Sequence, residues 1–148
     1  MKVTRNTALV LTVVVFGTAA FVYLTRAADP VASETISEKS GAPLAEVKVP
    51  ASFSNEAATG QTLYTAVCAS CHGANAAGQD GVAPPLVHPL YVPSHHGDAA
   101  FVVAARNGAR QHHWSFGNMP PLEQRLTDAE LNAIILYIRE LQRENGIF

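Results

Sequence analysis

Cys68-Ala69-Ser70-Cys71-His72 reads Cys-x-x-Cys-His, and the expected fold follows from these five residues. Two thiols about one helical turn apart can each bond to a vinyl group of a porphyrin, and the next residue then sits beneath the iron as a ligand. The stretch therefore predicts one haem c covalently attached through Cys68 and Cys71, with His72 as an axial ligand. A redox-active dithiol, half of a zinc site and an accidental string are the competing readings. A dithiol enzyme would want a βαβ context, and a zinc site a second Cys or His pair at finger-like spacing; the chain offers neither.

Both cysteines of the 148-residue chain lie inside the motif, so no disulfide framework remains to hold a small fold together. A haem would supply the apolar centre that a short domain lacks. Residues 29–148 carry seven basic against twelve acidic side chains, a formal charge of −5 with histidines neutral. That balance argues against nucleic acid and for a redox partner with a basic docking face.

Upstream, residues 6–25 carry no charge, and an apolar run from Ala8 to Phe16 continues through Phe21, Val22 and Leu24. At about 1.5 Å per residue this segment is roughly 30 Å long, enough to cross a bilayer core. Lys2 and Arg5 precede it, so the positive-inside rule exports everything after Arg26. Residues 1–28 are read as a single-pass signal-anchor in the inner (cytoplasmic) membrane, with the haem domain on its periplasmic face. Cleavage is the alternative, since Gly17-Thr18-Ala19 and Ala27-Ala28 are small; Arg26 is unsuited to a cut after Ala28, and the apolar run continues beyond Ala19. Residues 29–52, rich in Ala, Ser, Glu, Pro and Val without a sustained period, read as a flexible linker. Such a coil spans roughly 27 Å.

Residues 53–148 form the expected domain. Ser54 or Asn55 can cap a helix to about Val67, in which Gly60, Leu63, Tyr64 and Val67 share one face. Gly60 is costly inside a helix unless another helix approaches closely. Asp98 can cap a second helix to Asn107, stopped by Gly108, with Phe101, Val102, Ala104 and Ala105 as a wall for the haem pocket. Thr127-Asp128-Ala129-Glu130 is a capping-box pattern opening a helix to about Glu144, with a stripe of Leu131, Ile134, Ile135, Ile138 and Leu141. Arg139 and Arg143 lie toward its negative end, as the helix dipole favours.

Two loops complete the site. In Ala83-Pro84-Pro85-Leu86 neither proline has an N–H, but both carbonyls are free acceptors; one that takes the Nδ1 proton of His72 would leave Nε2 for iron. In Gly117-Asn118-Met119-Pro120-Pro121 the first proline holds Met119 extended, and a thioether so presented, 47 residues after His72, can be the sixth ligand.

Together these residues resemble a class I, single-haem cytochrome c of the membrane-anchored bacterial type, over roughly Ser54 to Asn145. The resemblance rests on Gly60 and Tyr64 before Cys68-x-x-Cys71-His72, on Pro84 or Pro85 before Leu86, and on Met119-Pro120 before the last helix. It implies an all-α fold of about three to four helices around haem, in which Gly60 and Tyr64 cross Ile134 and Tyr137. It also places the histidine-binding carbonyl on Pro84, the choice against Pro85 staying open by one position. The implied function is one-electron transfer by a His72/Met119-ligated haem, not an enzyme in itself, at a relatively high potential because thioether sulfur stabilises ferrous iron.

His88 and the pairs His95-His96 and His112-His113 exceed what a simple carrier requires. They suit a pocket rim, bonding propionates or carbonyls, as do Arg106, Arg110 and Trp114. Imidazole also suits copper or zinc, so His95, His96, His112 and His113 are a candidate copper site, although no spacing among them defines a coordination set. Two further alternatives stand. One is a haem-c subunit of a membrane oxidase or reductase; the other is a ligand-binding or peroxidatic haem protein, with His112, His113 or nothing in place of Met119.

Overall fold

The computed structural model describes residues 41–124 and 126–148; the apolar segment 6–25 and the linker as far as residue 40 lie outside the described residues. Four helices follow in order: α1 (Asn55–Val67), α2 (Ala69–His72), α3 (Asp98–Asn107) and α4 (Asp128–Glu144), with 3-10 turns at Ala74–Ala76 and Pro89–Tyr91. The fold is all-α, and the described residues pair in β fashion only at two isolated bridges, Gln79 with Ala83 and Ala109 with Met119. Among the described residues no helix is long and apolar enough to cross a membrane.

The helix starts follow their local chemistry. Ser54 Oγ accepts from the Ala57 N–H at 3.2 Å. At α4 the capping box closes both ways, Thr127 N–H donating to Glu130 Oε2 at 2.7 Å and Glu130 N–H to Thr127 Oγ1 at 3.2 Å. Asp98 departs from its expected role as a cap. Gly97 occupies that position, and the Asp98 carboxylate instead accepts from Arg139 Nε at 2.8 Å.

The core sits where α1 crosses α4. A Cβ built on Gly60 would lie 1.9 Å from the Ala133 carbonyl oxygen, so the two backbones touch at a point no side chain can enter. Beside it Tyr64 and Tyr137, each 1% exposed, pack with ring centroids 5.4 Å apart, and Phe53 adds a third ring 5.1 Å from Tyr137. Ile134, Ile138, Leu141, Leu86 and Val87 fill the same cluster. Burying one such aliphatic side chain stabilises by about 1.5–3 kcal/mol.

Arg139 is buried instead of serving the exposed negative end of the helix, and donates to Asp98, Gln142 Oε1 (2.6 Å) and the carbonyls of Tyr91 (2.7 Å) and His96 (2.6 Å). Its guanidinium also lies 5.0 Å from the Phe101 ring centroid, so Phe101 packs against this cation as well as forming part of α3. The described end of the segment before α1 is hydrogen-bonded to the domain. Leu44 and Ala45 N–H donate to the Ala77 carbonyl at 3.0 Å, and Lys48 exchanges two hydrogen bonds with the Asn145 side chain. Gly41 permits this approach, since a Cβ there would meet the Asp80 carbonyl oxygen at 2.3 Å.

Candidate haem-binding site

The tail of α1 delivers the motif directly into α2. Cys68 is half-buried, Cys71 exposed and His72 buried, and both cysteines are free thiols. Burial, with Cys71 adding to it, pushes the Cys68 thiol up to about 11. A redox dithiol needs the opposite shift, toward thiolate, so the environment disfavours that competing reading.

After His72 the chain reverses. Gly73 has φ +74°, and a Cβ on it would meet the Gly78 carbonyl oxygen at 2.6 Å; Gly78 N–H in turn donates to the His72 carbonyl at 2.7 Å. Asn75 and Ala76 also take positive φ, 52° and 60°, a conformation that costs a non-glycine residue free energy. Tyr64 Oη donating to the Gly73 carbonyl at 2.9 Å and Tyr137 Oη donating to Asn75 Oδ1 at 3.2 Å hold the reversal, so the helix crossing and this turn are one structure.

That reversal brings the proline pair to His72. Its Nδ1 lies 2.9 Å from the Pro84 carbonyl oxygen, so the bond falls on Pro84, one of the two prolines left open by the sequence. A carbonyl only accepts, hence Nδ1 carries the proton and Nε2 keeps its lone pair. Burial holds the His72 pKa below the ordinary imidazole range, the Pro84 bond opposing, which keeps the ring neutral. Leu86 is buried in the core, where Gln142 Nε2 donates to its carbonyl at 2.8 Å.

Gln79 was not picked out by the sequence. Its Nε2 lies 3.3, 2.9 and 3.1 Å from the carbonyl oxygens of Ala69, Ser70 and Cys71; Ala69 already accepts from the Gly73 N–H at 3.0 Å, so the amide chiefly serves the other two, which the short helix leaves open. A glutamine in a Gly- and Ala-rich loop carries no local signal of such a long-range role.

Met119 is half-buried and presented from a closed loop. Ala109 and Met119 exchange both backbone hydrogen bonds, at 3.0 and 2.9 Å, and a Cβ on Gly108 would meet the Met119 carbonyl oxygen at 2.5 Å. Inside the loop Gln111 N–H donates to Asn118 Oδ1 at 3.0 Å and Gly117 N–H to Gln111 Oε1 at 2.9 Å. Trp114 stacks on Phe116 at 5.7 Å, and its buried Nε1–H makes no well-formed hydrogen bond among the described residues, the Tyr91 hydroxyl being the polar group near it. Of the arginines considered for the pocket rim, Arg106 pairs with Asp128 at 2.6 Å and with the Leu126 carbonyl. The histidine pairs converge: His95 meets His113, and His96 meets His112. Partial loss of water, with repulsion from His112, His96 and His95, lowers the His113 pKa.

The family model described as cytochrome c matches residues 57–142, which span most of α1, the motif, the Met119 loop and most of α4. The chain belongs to the cytochrome c family. Its features are those of a class I c-type cytochrome. Similar curated proteins are the Cbb3-type cytochrome c oxidase subunits CcoP of Azospirillum sp. (strain B510) and Azospirillum brasilense, both 36% identical. The alignments run over 97 and 87 residues, covering 62% and 55% of this chain. The CcoP subunit of Cereibacter sphaeroides is 34% identical over 85 residues, covering 57% of this chain. This cytochrome c matches 27–30% of the length of these relatives. No solved structure matches it.

The residues fit the haem c that the family implies. A two-thiol turn and a neutral imidazole with one nitrogen already bonded are donors this group takes, and a loop-borne thioether and a buried indole N–H are compatible with it.

Proposed function

We propose that this cytochrome c carries one haem, bound covalently through Cys68 and Cys71, and relays single electrons. His72 Nε2 and Met119 Sδ would be the axial ligands, Pro84 fixing the His72 ring; Leu86 would add apolar packing, and Trp114 Nε1 would donate to a propionate. Haem c supplies the one-electron couple when bound. The chain's own residues hold the ligands rigidly: Gln79 ties down the motif's carbonyls, and the Ala109–Met119 bridge fixes the thioether-bearing segment.

The bond from His72 Nδ1 to the Pro84 carbonyl carries this reading, because it leaves a free nitrogen lone pair at the turn that bears both thiols. Met119 as second ligand leaves no open position for oxygen or peroxide, which favours relay over peroxidatic or ligand-binding chemistry, and its sulfur favours the reduced state. The similarity to oxidase subunits supports a membrane oxidase of the cbb3 class as redox partner. The acidic balance after residue 28 supports a basic docking face on that partner. Residues 1–28 would anchor the chain in the inner membrane, with residues 29–52 as the linker and the haem domain outside the cytoplasm.

Met119→Ala in the haem-loaded protein tests the ligand assignment. Haem stays attached, the reduction potential falls and added imidazole binds; an unchanged potential with no added ligand bound would remove Met119 from the iron. Cys68→Ser and Cys71→Ser should each impair covalent attachment, read as haem released by acidified organic solvent. Copurification with oxidase subunits from gently solubilised membranes tests the partner, and a protein recovered free of them defeats that assignment.

A further inference from the structure

The four clustered histidines are not used in the relay proposed above, and their hydrogen bonds are unusual. His96 Nδ1 lies 2.7 Å from the Leu90 carbonyl oxygen and His112 Nδ1 2.8 Å from that of Arg110. Since carbonyls only accept, both Nδ1 atoms carry protons, and in the neutral rings both Nε2 atoms present lone pairs. Those two lone pairs face each other at 3.3 Å. Two acceptors at that separation repel unless a proton or a metal cation lies between them. His95 Nε2 and His113 Nε2 make a second close pair at 3.1 Å, and one ring nitrogen from each of His95, His96 and His113 lies within 4.8 Å of the others.

We propose that His95, His96 and His113, whose ring nitrogens lie within 4.8 Å of one another, form a second metal site, separate from the haem, for one late first-row divalent ion, Zn2+ or Cu2+, with His112 joining as the fourth ligand from its place beside His96. Metal–imidazole bonds of about 2.0–2.1 Å set the edge of a tetrahedron at about 3.3 Å, which both close pairs approach. An all-imidazole donor set without thiolate selects this class of ion over hard cations such as Mg2+ or Ca2+. Metal-bound histidines usually donate their other ring N–H to a carbonyl, as His96 and His112 do here.

The backbone beneath the site is built to hold it. His95 and His96 N–H both donate to the Val92 carbonyl, at 3.0 and 2.8 Å, and Arg139 Nη2 fixes the His96 carbonyl from α4. His112 and His113 sit in the loop closed by the Ala109–Met119 bridge. A bound ion therefore cross-links the His95–His96 turn to the segment that carries Met119, and raises the unfolding temperature of the protein.

The test uses untagged, haem-loaded, full-length protein, stripped with a chelator, incubated with Zn2+ or with Cu2+ alone, and freed of excess ion by gel filtration before elemental analysis. One equivalent is retained per chain, the midpoint of thermal unfolding rises, and the Cu2+ form shows nitrogen coupling in its electron paramagnetic resonance spectrum. Retention of only one of the two ions supports the site and identifies its preference. His113→Ala, an exposed position, and His96→Ala weaken binding by more than the 10–100-fold that loss of an outer-shell partner costs, whereas His88→Ala binds like the unmutated protein. The proposal is overturned if neither ion is retained, or if His113→Ala and His96→Ala both bind as tightly as the original.

Discussion

At the α1–α4 crossing, Gly60 lies against the Ala133 carbonyl and two tyrosines are almost wholly buried; α3, by contrast, buries none of its residues fully, and Val103 on it is 54% exposed. The crossing is held by close packing and has no slack. The α3 and Met119 side is held by directed polar bonds: the Ala109–Met119 bridge, the Gln111 and Asn118 amides, and Arg139 reaching across from α4. The difference separates two tasks. Packing fixes the end of the chain that carries the thiols and His72, while hydrogen bonds to backbone shape the loops that carry Met119 and the histidine pairs.

The largest expected effect breaks the packed side. Gly60→Val should cost more than about 3 kcal/mol, because overpacking meets backbone rather than a movable side chain; urea unfolding of the haem-loaded protein would show it. Val103→Ala on α3 should stay within about 0.5 kcal/mol. Equal costs would erase the contrast between the two sides.

Next in size is the polar tie. Arg139→Met should cost about 2–4 kcal/mol, since it leaves the His96 carbonyl without its donor and the Tyr91 carbonyl with only the longer bond from Gln142 Nε2 at 3.3 Å. Asp98→Asn should cost less than about 1 kcal/mol, because that carboxylate is 68% exposed. The two single variants, compared in the same denaturant titration, show whether the carbonyls or the ion pair matter more.

Thr127→Ala should cost about 1 kcal/mol through loss of the α4 cap. Bonds from the Thr127 N–H and hydroxyl depress the Glu130 pKa. A depressed carboxylate contributes stability that is present above its unfolded value of about 4.3 and lost as pH falls through the lower folded value. The difference between the original and Thr127→Ala should therefore shrink in acid, measured by unfolding at neutral pH and near pH 3. Arg106→Ala should likewise stay within about 1 kcal/mol, since its pair with Asp128 is solvent-exposed.

The packed side was readable from sequence because its signals are local: a glycine inside a helical apolar face, a capping box four residues long, two cysteines one turn apart and a histidine next to them. Pro84 was readable to within one position, since either proline offers a carbonyl and only the turn through Gly73 and Gly78 decides which reaches His72. Arg139 and Gln79 were not readable. An arginine late in an amphipathic helix looks solvated, and its burial depends on carbonyls 43 and 48 residues away converging on it. Gln79 sits in a loop whose composition predicts only irregular backbone. The histidine pairs were visible as pairs, but their convergence depends on a turn at 92–96 meeting a loop at 109–119, contacts that no periodicity encodes.

The axial ligand set is tested most directly by the absorption spectrum of the purified ferric protein. Ligation by His72 and Met119 predicts the weak far-red sulfur-to-iron band, present in the original protein and absent from Met119→Ala. A ferric spectrum lacking that band, or one in which it survives the substitution, would contradict the account.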